Sequence, residues 1–395
     1  VRALPQGDDV VISGIGIVSP LGCGVEEVLR AMPGDASAPG IDWERYAPYG
    51  VRRAAPFDDT RFLRKASERR VMSDMMLHAV EAAGQALTAA ALLGDAERLA
   101  RLDLLVAAGM SARDTAADAR LLDGARRAAA PAVRHNEMMQ SEYKPTLFLA
   151  QLSNLVAGNL SIVFGIKGSS RTISGEELAG AQCLDVAVRQ IRSGQRDIVL
   201  IGGCFSADRP EIVAGYAAAG MLRREQDDGD GTVLASMAVF LVLESARSAA
   251  GRTHMPLARV AAVRLARSDR APAALSRDAL VALTGARRGG RIAVIDGSPG
   301  GASLDEETRL LLAGIAASSG LTLCGHHPRS ARFGHGVDAS ALLSTALGAL
   351  ALAHPDAVLQ PGSDAANDAA APELALCCDW GLRTGETEIL LEKAA

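Results

Sequence analysis

Two loop-to-helix turns hold the residues best suited to chemistry. The first, KGSSRTISGEELAG, brings Glu177 to the start of a helix that runs on to the apolar stretch RDIVLIGG. The second, RSARFGHGVDAS, brings His335 to a helix followed by DAVLQPG. From Glu177 to Ile198 is 21 positions (198 − 177), and from His335 to Ala357 is 22 (357 − 335). The match points to a weak internal repeat whose equivalent turns would face one pocket. Free N–H groups and the helix dipole favour negative charge at such turns. A glutamate held there, shielded from water, has the chemistry of a general base. The six cysteines (Cys23, Cys183, Cys204, Cys324, Cys377 and Cys378) show no CxxC spacing and read as small buried hydrophobes. His326 and His327 read as loop histidines rather than metal ligands. GIGIVSPLGCG lacks both GxGxxG spacing and an acidic residue on the next strand, which argues against a dinucleotide site. No metal or cofactor is expected.

The elements that must position these turns alternate between strand and helix. Strands are expected at DDVVISGIGIVSP, RLDLLVAAG, RDIVLIGG, RIAVIDGSPG, DAVLQPG, ELALCCDW and ETEILLEK, and a strand pair or one bent strand at GTVLASMAVFLVLES. Helices are expected at ASERRVMSDMMLHAVEAAGQALTAAALL, AGAQCLDVAVRQIRSG and DASALLSTALGALALAHP. RLDLLVAAG and RIAVIDGSPG occupy matching places in two halves, 1–230 and 231–395, which meet at the polar REQDDGDGT. The pattern is that of a layered α/β protein in which two similar halves stack about a shared helix layer.

Composition narrows the function classes. The 395 residues are 49% hydrophobic and 22% charged, enough apolar material for a large core. The net charge of -5 disfavours a general nucleic-acid binder. No apolar run is long enough to predict a membrane span. VRALPQGDDVVISG lacks the basic and apolar regions of a secretion signal, so a cytoplasmic location is expected.

Several segments, in order and at the right spacing, carry a family resemblance. VVISGIGIVSPLGCGVEEVLRAM, PTLFLAQLSNLVAGNLSIVFGIKGSS, IRSGQRDIVLIGG, DEETRLL and FGHG resemble the β-ketoacyl synthases of fatty acid and polyketide synthesis. The resemblance implies their five-layered α-β-α-β-α thiolase fold. It also implies a decarboxylative condensation in which a helix-N-terminal cysteine carries the acyl group and two histidines stabilise the oxyanion. Counting from Gly168 and from Gly194 places that cysteine at Glu177. Counting back from Glu307, Thr308 and Arg309 places the first histidine at Asp296, and the second is kept as His335. The family's lysine position holds Ser330, with Arg329 and Arg332 beside it. Its C-terminal Gly-Phe-Gly-Gly loop is replaced by WGLRTGE, and its Gly-Glu-Gly by Ala235, Ser236 and Met237.

Fold-bearing segments are thus kept while the catalytic set is altered. Within the family, that pattern resembles the cysteine-less chain length factor, which pairs with an active ketosynthase and shapes the acyl tunnel. The resemblance implies a heterodimer, an acyl carrier protein as second partner, and carrier docking at Lys65, Arg69 and Arg70. The segment from about 136 to 158, rich in Met, Phe, Tyr and Leu, is expected at the subunit interface. The alternative is a repurposed enzyme, a decarboxylase or acid/base catalyst, with Glu177, Asp296 and His335 as its acid/base set.

Overall fold

A computed structural model describes residues 9–33, 40–63, 65–109, 113–142, 151–227, 231–252, 254–269, 290–300, 314, 320–359, 371–382 and 384–394. Ten strands form the main path of one sheet: β1 (Val10–Ser19), β2 (Asp103–Ala107), β3 (Ser170–Ile173), β4 (Ile198–Phe205), β5 (Met237–Ser245), β6 (Ala258–Asp269), β7 (Arg291–Gly297), β8 (Thr322–Pro328), β9 (Leu374–Trp380) and β10 (Thr384–Lys393). Their order is β8-β7-β9-β10-β6-β1-β5-β4-β2-β3, and the short strand Gly22–Cys23 pairs with β1. Adding five to each strand of the first set reproduces the second set. Antiparallel β1/β5 and β5/β4 correspond to β6/β10 and β10/β9. Parallel β4/β2 and β2/β3 correspond to β9/β7 and β7/β8. The two half-sheets meet where Val11 and Ile12 of β1 pair antiparallel with Arg259 and Ala258 of β6.

Among the described residues, four of the longer helices pack on this sheet: α1 (Asp74–Ala89), α2 (Asn154–Phe164), α3 (Glu177–Arg192) and α4 (Ser340–Ala353). α3 and α4 share one core with the inward residues of both half-sheets, including Ile12, Ile201, Ile295 and Cys377. Every residue of α4 from Ser340 to Leu352 is buried, which is why its sequence is apolar on all sides. α1 and α2 cover the other face of the first half-sheet. α1 approaches closely because Gly14 and Gly16 of β1 leave room: a Cβ on Gly16 would lie 1.9 Å from the Ala82 carbonyl oxygen. A third cluster, including Ile292, Val294, Leu376 and Leu390, lies on the far side of the second half-sheet. The layered α/β architecture is as expected. No helix of the described residues is long and apolar enough to cross a membrane.

Several local expectations change. The stretch 66–93 is not one helix: Ala66–Arg69 forms a short helix, and Ser73 starts α1 anew by accepting from the Met76 amide. In DAVLQPG, Pro355–Val358 is helical, with proline at a position whose fixed φ suits a first turn, and 360–362 lie outside the described residues. The counterpart of β4 is therefore β9, so Leu374 rather than Ala357 corresponds to Ile198. β5 follows residue 230 yet pairs with β1 and β4. Strand order thus favours a joint between Ser245 and Ala258 over one at 230. His326 and His327 lie on β8, not in a loop.

Candidate functional site

Glu177 is the first residue of α3 and is 5% exposed. The turn before it is tight: Glu176 has φ 53°, in the left-handed region that non-glycine residues rarely occupy. Ser174 Oγ anchors the turn by donating to the Ala108 carbonyl at 2.8 Å. His335 is fully buried on a loop tied to the strand Leu234–Ala235, donating its N–H to the Val233 oxygen and accepting from the Ala235 N–H, both at 2.9 Å. Its flanking glycines are required there. Gly334 has φ 75°, and a Cβ on Gly336 would meet Met237 Sδ at 2.2 Å.

These two turns meet. His335 Nε2 lies 3.2 Å from Glu177 Oε1, and the same oxygen accepts from the Leu382 N–H at 3.1 Å. Burial pushes the Glu177 carboxyl up, but the His335 hydrogen bond and charge, with the Leu382 amide, outweigh it and hold the carboxyl below its ordinary range. That balance favours the charged carboxylate, toward which a protonated Nε2 would donate. The other ring nitrogen, Nδ1, lies 3.4 Å from Ser340 Oγ. A cavity of about 190 Å³ opens beside Glu177, lined also by Glu176, Glu211, Ile212, Tyr216, Met221 and Leu382.

Asp296 does not join this set. On β7, Ala293 and Ile295 face the shared helix core, whereas Ile292 and Val294 face the opposite cluster. Strand alternation puts the Asp296 side chain on the Val294 side. There Oδ1 accepts from the Ser298 N–H at 2.8 Å, and Oδ2 lies 3.6 Å from His326 Nε2. The three-residue acid/base set is thus not assembled, because one strand residue cannot face both layers. Among the described contacts none joins Asp296 to Glu177 or His335.

Three further groups shape the site. Arg329 is fully buried and donates to the Gly334 oxygen at 3.2 Å, the Gly297 oxygen at 3.0 Å and Asp379 Oδ1 at 3.1 Å. It clamps the end of β7, β9 and the His335 loop together. Asp338, three residues after His335, has its carboxyl pushed up to about 8 by burial and by the Glu177 charge. The Leu382 amide comes from the loop between β9 and β10. Arg329 was visible in the sequence only as a cation near the family's lysine position. The other two contribute through tertiary placement, which no spacing encodes.

The remaining sequence-derived residues lie elsewhere. Lys65, Arg69 and Arg70 are exposed on the short helix before α1, where Arg69 pairs with Asp59 at 2.7 Å. Cys183 is a core thiol inside α3, pushed up by burial. Among the described residues no disulfide joins the six cysteines. Of the segment 136–158, residues 136–142 end a helix, 151–158 lead into α2, and 143–150 lie outside the described residues. Among the described residues no group of three or more His, Cys, Asp or Glu is arranged to hold a metal.

Comparison with known proteins agrees with this architecture. The chain is 28% identical over 259 residues to the 3-oxoacyl-[acyl-carrier-protein] synthase 2 of Vibrio cholerae, covering 62% of this chain and 59% of that protein. It is 29% identical over 272 residues to nodulation protein E of Rhizobium leguminosarum bv. trifolii, covering 65% and 63%. The matched stretches thus span about three fifths of these relatives. Among solved structures, the ishigamide ketosynthase/chain length factor superposes with a TM-score of 0.74 at 20% identity, over 98% of this chain and 100% of that one. A complex of a type II polyketide synthase acyl-carrier protein with its ketosynthase gives 0.73 at 15% identity, over 98% and 99%. Both likenesses concern the fold. The family model described as the β-ketoacyl synthase N-terminal domain matches residues 7–249, more than half of the sequence, and by that match the chain belongs to the β-ketoacyl synthase family.

Proposed function

We propose that this chain is a non-condensing, chain-length-factor-like subunit that pairs with an active ketosynthase and shapes its acyl tunnel. One observation carries the reading. At the position that the sequence count gives to the family's thiol stands the Glu177 carboxyl, buried and held by His335 and the Leu382 amide. A carboxylate cannot form the thioester that carries a growing chain, and Cys183, the cysteine next along α3, is buried in the core. The ketosynthase/chain length factor structure with the same fold supports the reading. So do exposed apolar side chains in or beside the expected interface segment in sequence: Val133 at 60%, Met139 at 39%, Leu152 at 36% and Ile162 at 68%. Among the described residues β3 also ends the sheet, leaving its outer edge for a partner. Lys65, Arg69 and Arg70 would receive the acyl carrier protein, and the pair would work in the cytoplasm.

The test is co-expression with a neighbouring ketosynthase. A 1:1 complex should form, the chain alone should be idle or poorly soluble, and the Glu177→Gln pair should elongate as the wild-type pair does. Losing an oxyanion donor typically costs about 100- to 1,000-fold in rate. A loss on that scale in a Glu177→Gln pair that stays assembled would replace this reading with acid/base catalysis. That second reading is favoured by the Glu177–His335 dyad opening onto a cavity. It expects the chain alone to decarboxylate a malonyl group on its carrier.

A further inference from the structure

Glu177 does more than take the place of a thiol. Its Oε1 sits between two fixed donors, the Leu382 N–H at 3.1 Å and His335 Nε2 at 3.2 Å. Neither donor is free to turn away. The Leu382 loop is closed by the Gly381 N–H on the Gly385 oxygen at 2.9 Å, and the His335 ring is braced by Ser340. One main-chain N–H and one imidazole N–H converging on a single buried oxygen are what a small carboxylate needs for tight holding. The cavity of about 190 Å³ that opens from this point is lined by Ile212, Tyr216 and Met221 as well as by Glu176 and Glu211, so only its apolar side suits a short hydrocarbon tail.

We propose that Glu177 is the built-in ligand of a carboxylate pocket, and that shortening this side chain opens the pocket to small free monocarboxylates. The inference rests on the non-condensing reading and deepens it: the chain excludes acyl groups because its own side chain already fills the donors. Glu177→Ala leaves Cβ in place and removes a CH₂–COO⁻ fragment, which is acetate less one hydrogen. Acetate therefore restores the missing atoms, and butanoate extends them toward the apolar wall.

The experiment is a thermal melt of the full chain carrying Glu177→Ala, titrated with sodium acetate, sodium butanoate, sodium chloride and acetamide. Both carboxylates should raise Tm in proportion to ln(1 + [L]/Kd), by about 2 °C at ten times the apparent Kd. Chloride and neutral acetamide should not, and the wild-type chain, already filled, should not respond. A folded Glu177→Ala chain with no carboxylate-specific rise overturns the proposal, and so does an equal rise in the wild type. If the variant does not fold in chloride, its refolding yield in acetate decides. Recovery in acetate supports the pocket, and failure in both buffers shows that Glu177 is more than an exchangeable carboxylate and overturns it. Because the readout is binding by this chain, a failed rescue beside intact elongation by the Glu177→Gln pair removes only the pocket. Successful rescue beside lost elongation removes only the non-condensing reading.

Discussion

Asp338→Asn should make the protein less sensitive to rising pH. Asp338 is almost completely enclosed, next to Glu177, and its folded-state carboxyl titrates at about 8 against an ordinary carboxylate near 4. Burial is the main cause and the Glu177 charge adds to it. A carboxyl raised in the folded state binds a proton that the unfolded chain has already released. Its contribution to stability is therefore complete below about pH 4, declines as pH rises, and is gone above about pH 8. Between those limits the slope is about 1.4 kcal/mol per pH unit, or about 4 kcal/mol from pH 5 to pH 8. Asparagine removes the titration and keeps an oxygen for the Gly109 N–H that the carboxylate accepts. Asp379 and Glu388, raised by burial to about 6 and about 7, tilt both proteins in the same sense. His78 and His327, lowered by burial to about 4 and about 3, act oppositely as pH falls. These contributions cancel in the difference between variant and wild type. Urea melts at pH 5, 6, 7 and 8 should show the two close together at pH 5 and the variant increasingly favoured toward pH 8. Stability curves that run parallel would refute the reasoning.

Three other outcomes are expected. If the proposed pairing exists, Ile162→Arg, at a side chain 68% exposed on α2, should abolish co-sedimentation with the ketosynthase while shifting the chain's own stability by less than about 0.5 kcal/mol. Gly16→Ala should destabilise by about 3 kcal/mol or more in denaturant melts, since its Cβ would overlap the Ala82 backbone of α1. Brief alkylation of the native chain at pH 8, read by mass spectrometry, should label Cys324 first. Cys23 should lag although half-buried, because burial and Glu81 push its thiol up to about 12, and Cys183, Cys204, Cys377 and Cys378 should react only on unfolding.

The elements read most securely from the sequence were those whose patterns have one physical solution. RDIVLIGG and RIAVIDGSPG are short apolar runs that only a strand with both faces covered can use, and they became β4 and β7. The all-round apolar DASALLSTALGALALAHP could only be a buried helix, and it is α4. Segment order and spacing also led to Glu177 and His335, because both sit at repeated turns. Other features depend on neighbours far along the chain. DAVLQPG has strand-like residues, but Pro355 and the true partner of β7, Leu374–Trp380, decide otherwise. Counting from Glu307 assigned Asp296 to a catalytic position, yet the pleat of β7 turns it to the far layer. Arg329 stood out in the sequence only as a cation beside the family's lysine position; its burial and its bond to Asp379, 50 residues later, come from tertiary packing.

The Glu177–His335 contact joins residues 158 positions apart, one from each repeat. Neither half can form it alone, and it closes only after both have folded and docked. Long-range contacts of this kind come late, because the intervening chain must first be ordered. The pair is therefore a built-in indicator of half-to-half docking. A spectroscopic probe at position 177 or 335 should respond in the last kinetic phase of refolding, after the β4 and β9 backbone amides are already protected from exchange.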